Sequence, residues 1–258
     1  MKVVVTGASS GIGAATARLL AAGGHTVGIV GRRADRLQAV LDDCRAGAPE
    51  SRSWVADLGD LTVAEAIADE AERVFGGVDV LINNAAIPKR MPVPELTPGA
   101  VEEVMRVNFF SPVRMTLRLL PHMLARGTGT VVNVASMGGR LGIPQEAAYC
   151  ASKFALTGWS EAMAIDLHGS GVAVRLIQPG PIATDIWDRP GERPPLIDVA
   201  KEPPELVAEG IVQAIGADRF EHYLPDLKAV VDYKQSDVDG YIAMNAAMVA
   251  DARKGNDR

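Results

Sequence analysis

The N-terminal stretch restricts the fold most. A β-branched run, Val3-Val4-Val5-Thr6, passes directly into Gly7-Ala8-Ser9-Ser10-Gly11-Ile12-Gly13 and then into Ala14 to Ala22, rich in Ala and Leu. That order reads as strand, glycine turn, helix. Glycine has two uses in such a turn: it permits tight dihedrals, and it leaves no Cβ where a pyrophosphate approaches the amides at a helix N-terminus. The spacing is Gly-x-x-x-Gly-x-Gly rather than the commoner Gly-x-Gly-x-x-Gly. Its place between a strand and a helix points to a dinucleotide site.

The same alternation continues along the chain. Gly23-Gly24 ends the first helix, and Thr26 to Val30 is the second strand, finishing at Gly31-Arg32-Arg33. NAD-binding folds usually carry an acid there for the ribose hydroxyls. Two guanidiniums attract a 2′-phosphate, so Arg32 and Arg33 favour NADP(H) over NAD(H) unless they are simply a solvated loop pair. A helix over 34–45, a strand through Trp54-Val55-Ala56 and a helix from about Thr62 to Phe75 follow. Asp57, after the third strand, is placed either to accept from an adenine amino group or to cap the next helix. Asp79 to Ile82 is the fourth strand, and the amides of Asn83-Asn84 after it are suited to pinning neighbouring strands and lining a nucleotide crevice.

Residues 88–98 form a proline-rich loop, a candidate substrate rim. A long helix from about Gly99 toward Met123 is interrupted by Pro112, which predicts a kink near Asn108 and carbonyls freed for water. Thr130 to Ala135 is the fifth strand and delivers Ser136 to the sheet's carboxyl edge. Val172 to Ile177 is the sixth, followed by the sharp turn Pro179-Gly180-Pro181-Ile182-Ala183-Thr184. The segment of about 181–204 lacks regular pattern and reads as a lid, with Trp187 and Leu196 able to close over an apolar substrate. Residues 205–215 form a helix, 221–224 a last strand and 236–250 a helix in which Met244 and Met248 mark a packing or subunit-contact stripe. Residues 251–258 read as a frayed tail.

Ser136 is followed thirteen positions later by Tyr149 and one helical turn on by Lys153. Residues four apart share a helix face, so phenol and ammonium reach one space. A phenol ionises near pH 10; a close cation and a place in the first turn of a helix both favour the phenolate, which predicts a lowered Tyr149 pKa. Taken alone, the pair is also compatible with a chance Tyr and Lys on a solvated face.

With 258 residues, 48% hydrophobic, the chain is long enough for one large α/β domain. A net charge of −6 without a Lys/Arg cluster argues against nucleic acid and suits a cytoplasmic protein. Neither a leader peptide nor a membrane span is expected. Cys44 and Cys150 lack CxxC spacing, and the four histidines are scattered, so neither a disulfide framework nor a metal site is expected. Cys150 reads as a packing residue.

Thr6-Gly7-x-x-x-Gly11-Ile12-Gly13, Asn83-Asn84-Ala85, Asn108, Ser136, Tyr149-x-x-x-Lys153 and Pro179-Gly180 occur in order, and together they resemble the short-chain dehydrogenase/reductase family over about residues 1–184. Ala86 departs from the glycine usual there. The resemblance implies a Rossmann-type, doubly wound parallel β-sheet of about seven strands with helices on both faces, and a homotetramer or homodimer. Tyr149 would be the general acid/base, Ser136 would hold the substrate oxygen, Lys153 would bind the nicotinamide ribose and lower the Tyr149 pKa, and Asn108 would hold a relay water. Gly7, Ser9, Ser10, Gly11, Ile12 and Gly13 would cradle the pyrophosphate, Asp57 and Leu58 the adenine, and Asn84 the adenosine side, while Ile182 and Thr184, after Pro179, would meet the carboxamide. The implied activity interconverts a secondary alcohol and a ketone with NADP(H). A cofactor-sensing binding protein and a nicotinamide-assisted epimerase or dehydratase are the competing expectations.

Overall fold

In the computed structural model, residues 1–196 and 198–256 are described, the last four by backbone alone. Seven parallel strands make one sheet: β1 (Lys2–Thr6), β2 (Thr26–Gly31), β3 (Arg52–Val55), β4 (Val80–Asn83), β5 (Gly129–Val134), β6 (Val172–Pro179) and β7 (Glu221–Leu224), in the order β3-β2-β1-β4-β5-β6-β7. The helices are α1 (Gly11–Ala22), α2 (Ala34–Gly47), α3 (Leu61–Phe75), α4 (Pro98–Met105), α5 (Ser111–Arg126), α6 (Ala147–Asp166), α7 (Pro204–Ile215), α8 (Lys228–Ser236) and α9 (Val238–Asn256).

Side chains alternate across the sheet with period two. Val3 and Val5 face the core shared with α1, α2 and α7, whereas Val4 faces the core shared with α3, α5 and α6. Burial on both faces explains why these strands read as unbroken apolar runs. Inside the sheet the Asn83 amide donates to Asn133 Oδ1 at 2.9 Å and to Thr116 Oγ1 at 3.2 Å, and Asn133 donates to Ser160 Oγ at 2.8 Å, while Asn83 Oδ1 is buried with no hydrogen-bond partner among the described residues. Asn83 is therefore the strand pin. The strand order reverses at β1 between β2 and β4, opening a crevice at the strands' carboxyl ends.

The interruption expected near Asn108 takes the form of a π-helical turn, Arg106–Phe110, that joins α4 to α5, with Pro112 the second residue of α5. Three other points differ from the sequence reading. The α3 cap is Asp60, not Asp57; its Oδ1 accepts from Thr62 N at 2.9 Å and Val63 N at 3.3 Å. A helix that sequence reasoning did not anticipate, α8, precedes α9. The tail expected to fray is helical through Asn256, while 257–258 lie outside the described residues.

Residues 181–203 have neither helix nor strand among the described residues, and Pro204 begins α7. The neck of this segment is closed by a bridge between Ile182 and Glu202, with Ala183 N donating to Glu202 O at 2.8 Å and Glu202 N to Pro181 O at 3.0 Å. It is thus a loop with pinched ends, the form typical of compact functional loops.

Candidate active site

A cavity of about 1180 Å³ opens at the carboxyl ends of β1, β4, β5 and β6, walled by the 181–204 loop, α8 and α9. One end is formed by Gly7, Ser9, Ser10, Gly11 and Ile12 of the first turn, with Arg32 and Arg33 after β2 and Asp57, Leu58 and Asn84 beside them. Pro179, Ile182 and Thr184 lie on the path to the other end, where Ser136, Tyr149 and Lys153 stand. Of the residues singled out in the sequence, Gly13 and Asn108 are off the cavity wall.

Their positions explain why. A Cβ on Gly13 would fall 2.5 Å from Gly7 O and 2.6 Å from Asn84 Nδ2, so this glycine lets α1 pack against the β1 turn rather than admitting a ligand. Gly7 and Gly11, at φ +68° and +54°, are the residues that need left-handed backbone, and a Cβ on Gly11 would meet Thr184. Asn84 Nδ2 donates to Thr6 O at 2.9 Å, and Thr6 Oγ1 accepts from Asn84 N and Ala85 N at 2.9 and 3.0 Å, which fixes the crevice floor. Asp57 Oδ1 accepts from Gly59 N at 2.9 Å while the residue remains exposed at the cavity rim. Ser10, the N-cap of α1, makes no side-chain capping bond. The first amides of α1 therefore present uncapped donors and the positive end of the helix dipole, a donor set that fits a dinucleotide's pyrophosphate.

Asn108 lies in the π-helical turn, wholly buried. Its Oδ1 accepts from Ile87 N at 2.8 Å, and its Nδ2 donates to Ile87 O and Ser152 Oγ, both at 3.0 Å. The side chain is thus committed to holding α6 against the loop after β4. Pro112 has no N–H to offer the Asn108 carbonyl four residues earlier, which leaves that oxygen without its α-helical donor.

Tyr149 and Lys153 occupy successive turns of α6, with Lys153 Nζ 5.7 Å from the Tyr149 ring centre. Tyr149 is the third residue of α6, in the first turn as expected. Lys153 is 2% exposed and donates to Val134 O at 2.9 Å. The expectation of a lowered phenol pKa is overturned. Burial by the surrounding protein pushes the Tyr149 phenol well above its ordinary value, against the opposing pull of a hydrogen bond from Ser136 and of the Arg90 charge. Desolvation also drives Lys153 down to about 7, so its charge is expensive to maintain and its help to a phenolate is correspondingly small. Cys150 behaves as a packing thiol, raised to about 11 by burial.

Several site residues were not found from the sequence. Gln178 Oε1 accepts from Ser136 N at 3.1 Å, while its amide donates to Thr157 Oγ1 at 3.3 Å and Glu221 Oε1 at 3.0 Å, fixing the strand end that carries Ser136. Ser136 Oγ accepts from Gly138 N at 3.0 Å. The one available signal for Gln178 was a polar residue at the end of an apolar strand. Arg90 is 3% exposed, reaches Glu146 at the head of α6 (3.7 Å) and donates to the carbonyls of Ile186 (2.5 Å), Trp187 (3.0 Å) and Arg193 (2.9 Å). Glu192 accepts from Lys89 Nζ at 3.3 Å and from Arg90 N at 2.9 Å. These contacts seat the loop over the cavity, with Trp187 held by a bond from its Nε1 to Ile182 O (2.6 Å) and flanked by Arg90 and Lys201. Trp187 and Leu196 both face the cavity, as the sequence suggested.

The sequence matches the family profile described as short chain dehydrogenase over residues 1–194. The chain belongs to the short-chain dehydrogenase/reductase family. Dehydrogenase/reductase SDR family member 7B of Bos taurus is 32% identical over 237 residues, spanning 87% of this chain and 73% of that protein. A short chain dehydrogenase/reductase from Burkholderia phymatum, solved in complex with NAD, superposes with TM-score 0.84 at 28% identity, covering 92% of this chain and 94% of that one. A metagenomic short-chain oxidoreductase solved in complex with NADP gives TM-score 0.73 at 29% identity, over 86% and 96% of the two chains. This short-chain dehydrogenase is thus an NAD(P)-dependent oxidoreductase.

Proposed function

We propose that the chain is an NADP(H)-dependent oxidoreductase interconverting a secondary alcohol and a ketone, apolar around the reacting carbon. The observation carrying this reading is that Ser136, Tyr149 and Lys153 share one cavity with the first turn of α1 and the arginines after β2. The apolar character rests on Trp187, Leu196, Leu141, Ile143 and Met248, which face the same space.

A bound nicotinamide supplies or accepts the hydride. The raised pKa keeps Tyr149 a neutral phenol near pH 7, ready to donate to a carbonyl oxygen as it gains charge, a role typically contributing ~10²–10⁴-fold. Ser136 Oγ, fixed by Gly138 N, can turn the proton it gives to Tyr149 toward the same oxygen. Lys153 faces the space and carries its charge more readily when an anionic dinucleotide shares it. Proton resupply falls to water at the Asn108 backbone carbonyl, since the Asn108 side chain is occupied. We further read the chain as one domain, cytoplasmic on its acidic balance, and assembling as a homotetramer or homodimer. The 45% exposure of Met244, which lies off the cavity wall, supports a subunit contact.

The test is a panel of ketones and secondary alcohols run with NADPH and with NADH. Tyr149→Phe should lose about 10²–10⁴-fold in turnover while its NADPH dissociation constant is unchanged. Near wild-type turnover in that variant would refute the assignment of Tyr149. A tenfold preference for NADH would refute the cofactor reading.

A further inference from the structure

At the nucleotide end of the cavity the positive charge is already answered from within the chain. Asp185, the residue after Thr184, presents Oδ2 to Arg33 Nη1 at 2.6 Å and to Arg36 Nη1 at 2.5 Å. Arg33 Nη2 donates to Ser10 Oγ at 2.5 Å and to Ser9 Oγ at 3.3 Å, which ties the same guanidinium to the turn ahead of α1. The seat is thus built from two guanidiniums and a serine hydroxyl, with donors converging on one oxyanion. Arg33, Ser10 and Arg36 together hold the Asp185 carboxyl below the usual carboxylate range. Arg36 was not singled out in the sequence, and neither was Asp185, which lies 152 positions from Arg33.

A carboxylate bound by two arginines commonly serves only to hold two segments together. Two features set this one apart. All its partners line the cavity at the dinucleotide end, and the ion pairs are half open to water, with side-chain exposures of 39% for Arg33, 52% for Arg36 and 50% for Asp185. The pairs are therefore accessible to a competing anion.

We propose that Asp185 determines the choice of dinucleotide: its carboxylate and the 2′-phosphate of NADP(H) are alternative occupants of the seat made by Arg33, Arg36 and Ser10. This rests on reading the arginines after β2 as the 2′-phosphate site. A phosphate monoester presents up to two negative charges and three acceptor oxygens to the guanidiniums, against one charge from Asp185, and so displaces it. NADH has a hydroxyl at that position and leaves the ion pairs in place. NADP(H) therefore binds with its affinity reduced by the fraction of seats Asp185 holds, a reduction NADH does not suffer.

The experiment measures dissociation constants of NADPH, NADH, 2′,5′-ADP and 5′-AMP for the full chain, its Asp185→Asn variant, an Arg33→Met/Arg36→Met variant and the combination of all three substitutions. Asp185→Asn should tighten NADPH and 2′,5′-ADP by about two- to thirtyfold, the span of two exposed ion pairs, while leaving NADH and 5′-AMP within twofold. The gain should vanish when the arginines are absent. An unchanged NADPH:NADH ratio in Asp185→Asn overturns the proposal, as does a selective loss of NADH affinity, which would make Asp185 a partner of the ribose hydroxyls. The underlying reading fails separately, if Arg33→Met/Arg36→Met binds 2′,5′-ADP as the wild type does. Unaltered 5′-AMP binding in each variant verifies that the site is folded.

Discussion

Arg90→Met tests how the 181–204 loop is held. The substitution keeps an apolar stem in a site where the arginine side chain is 2% exposed, but removes every donor. Three bonds from a charged guanidinium to the carbonyls of Ile186, Trp187 and Arg193 disappear, and at about 1.5 kcal/mol apiece the three amount to about 4 to 5 kcal/mol. Glu146 also loses its neighbouring cation. That penalty can be relieved by the loop swinging out while the sheet stays folded, so it should appear as local opening rather than global unfolding. At 1.4 kcal/mol per decade, the opening equilibrium should rise by about 10³. Hydrogen exchange of a peptide covering 184–196 reads this directly, since the amides of Trp187, Asp188 and Glu192 are bonded to the carbonyls of Thr184, Asp185 and Arg189. Burial already raises the Glu146 carboxyl above its unfolded value, and losing Arg90 raises it further. The folded form then binds the Glu146 proton more readily than the unfolded chain does. The electrostatic penalty is present above the folded pKa and fades as the pH falls toward the unfolded value of 4.5, so the defect should be smaller at pH 5 than at pH 8. Wild-type exchange in the loop together with faster exchange in β5 and β6 would refute the reasoning, because Arg90 would then be supporting the sheet.

Two further substitutions test the electrostatics and packing beneath the site. Lys153→Met should flatten the pH dependence of stability: the folded lysine titrates near 7 and the unfolded one at 10.5, so the unfolded chain binds the extra proton between those values. Wild-type stability from this group then rises with pH across that window, by up to about 1.4 kcal/mol per unit; urea titrations at pH 7, 8 and 9 that ran parallel for the two proteins would contradict the buried-lysine assignment. Gly13→Ala sets two effects against each other: alanine in a helix gains about 1 kcal/mol over glycine, whereas overpacking costs about 1–3 kcal/mol. With the new methyl 2.5 Å from Gly7 O, the clash should win, lowering the melting temperature and weakening NADPH binding; a more stable variant would show that the turn has room.

The middle of the sheet was readable because the central strands are buried on both faces and so appear as short apolar runs between helix-length segments, with Val3 to Thr6 and Thr130 to Val134 as clear cases. The placement of Ser136, Tyr149 and Lys153 followed from the same logic, one at a strand end and two at i,i+4 on the next helix. The electrostatic state of the pair was not readable. Spacing shows that Lys153 reaches Tyr149, but only burial decides whether an ammonium is stable there, and burial belongs to the packing of α6 against β5 and the segment after it. Asp57 was misjudged as a possible cap for a comparable reason: Asp57 and Asp60 both precede α3, and which one reaches the first free amides depends on where the helix begins, the least determined feature of any sequence reading.

The loop over the cavity shows the limit more sharply. Its prolines announce irregular backbone, yet what orders it lies elsewhere in the chain: Arg90 is about 100 positions from the carbonyls it holds, and Arg33 is 152 from Asp185. Charged residues in such segments ordinarily read as solvated, because most are. Burying Arg90 at 3% exposure is tolerable only because carbonyls and a carboxylate from two other segments converge on it, an arrangement that exists after folding and leaves no periodic trace before it. The same reasoning applies to α8 and α9, whose Val231 and Tyr241, with Leu227 just before α8, form a small core with Met137 and Leu141 beside Ser136. This wall of the cavity is thus made by tertiary contact between the loop after Ser136 and the C-terminal helices, and, on the proposed function, changes confined to α8 or α9 should alter substrate choice while leaving the α1 turn and the Tyr149–Lys153 spacing untouched.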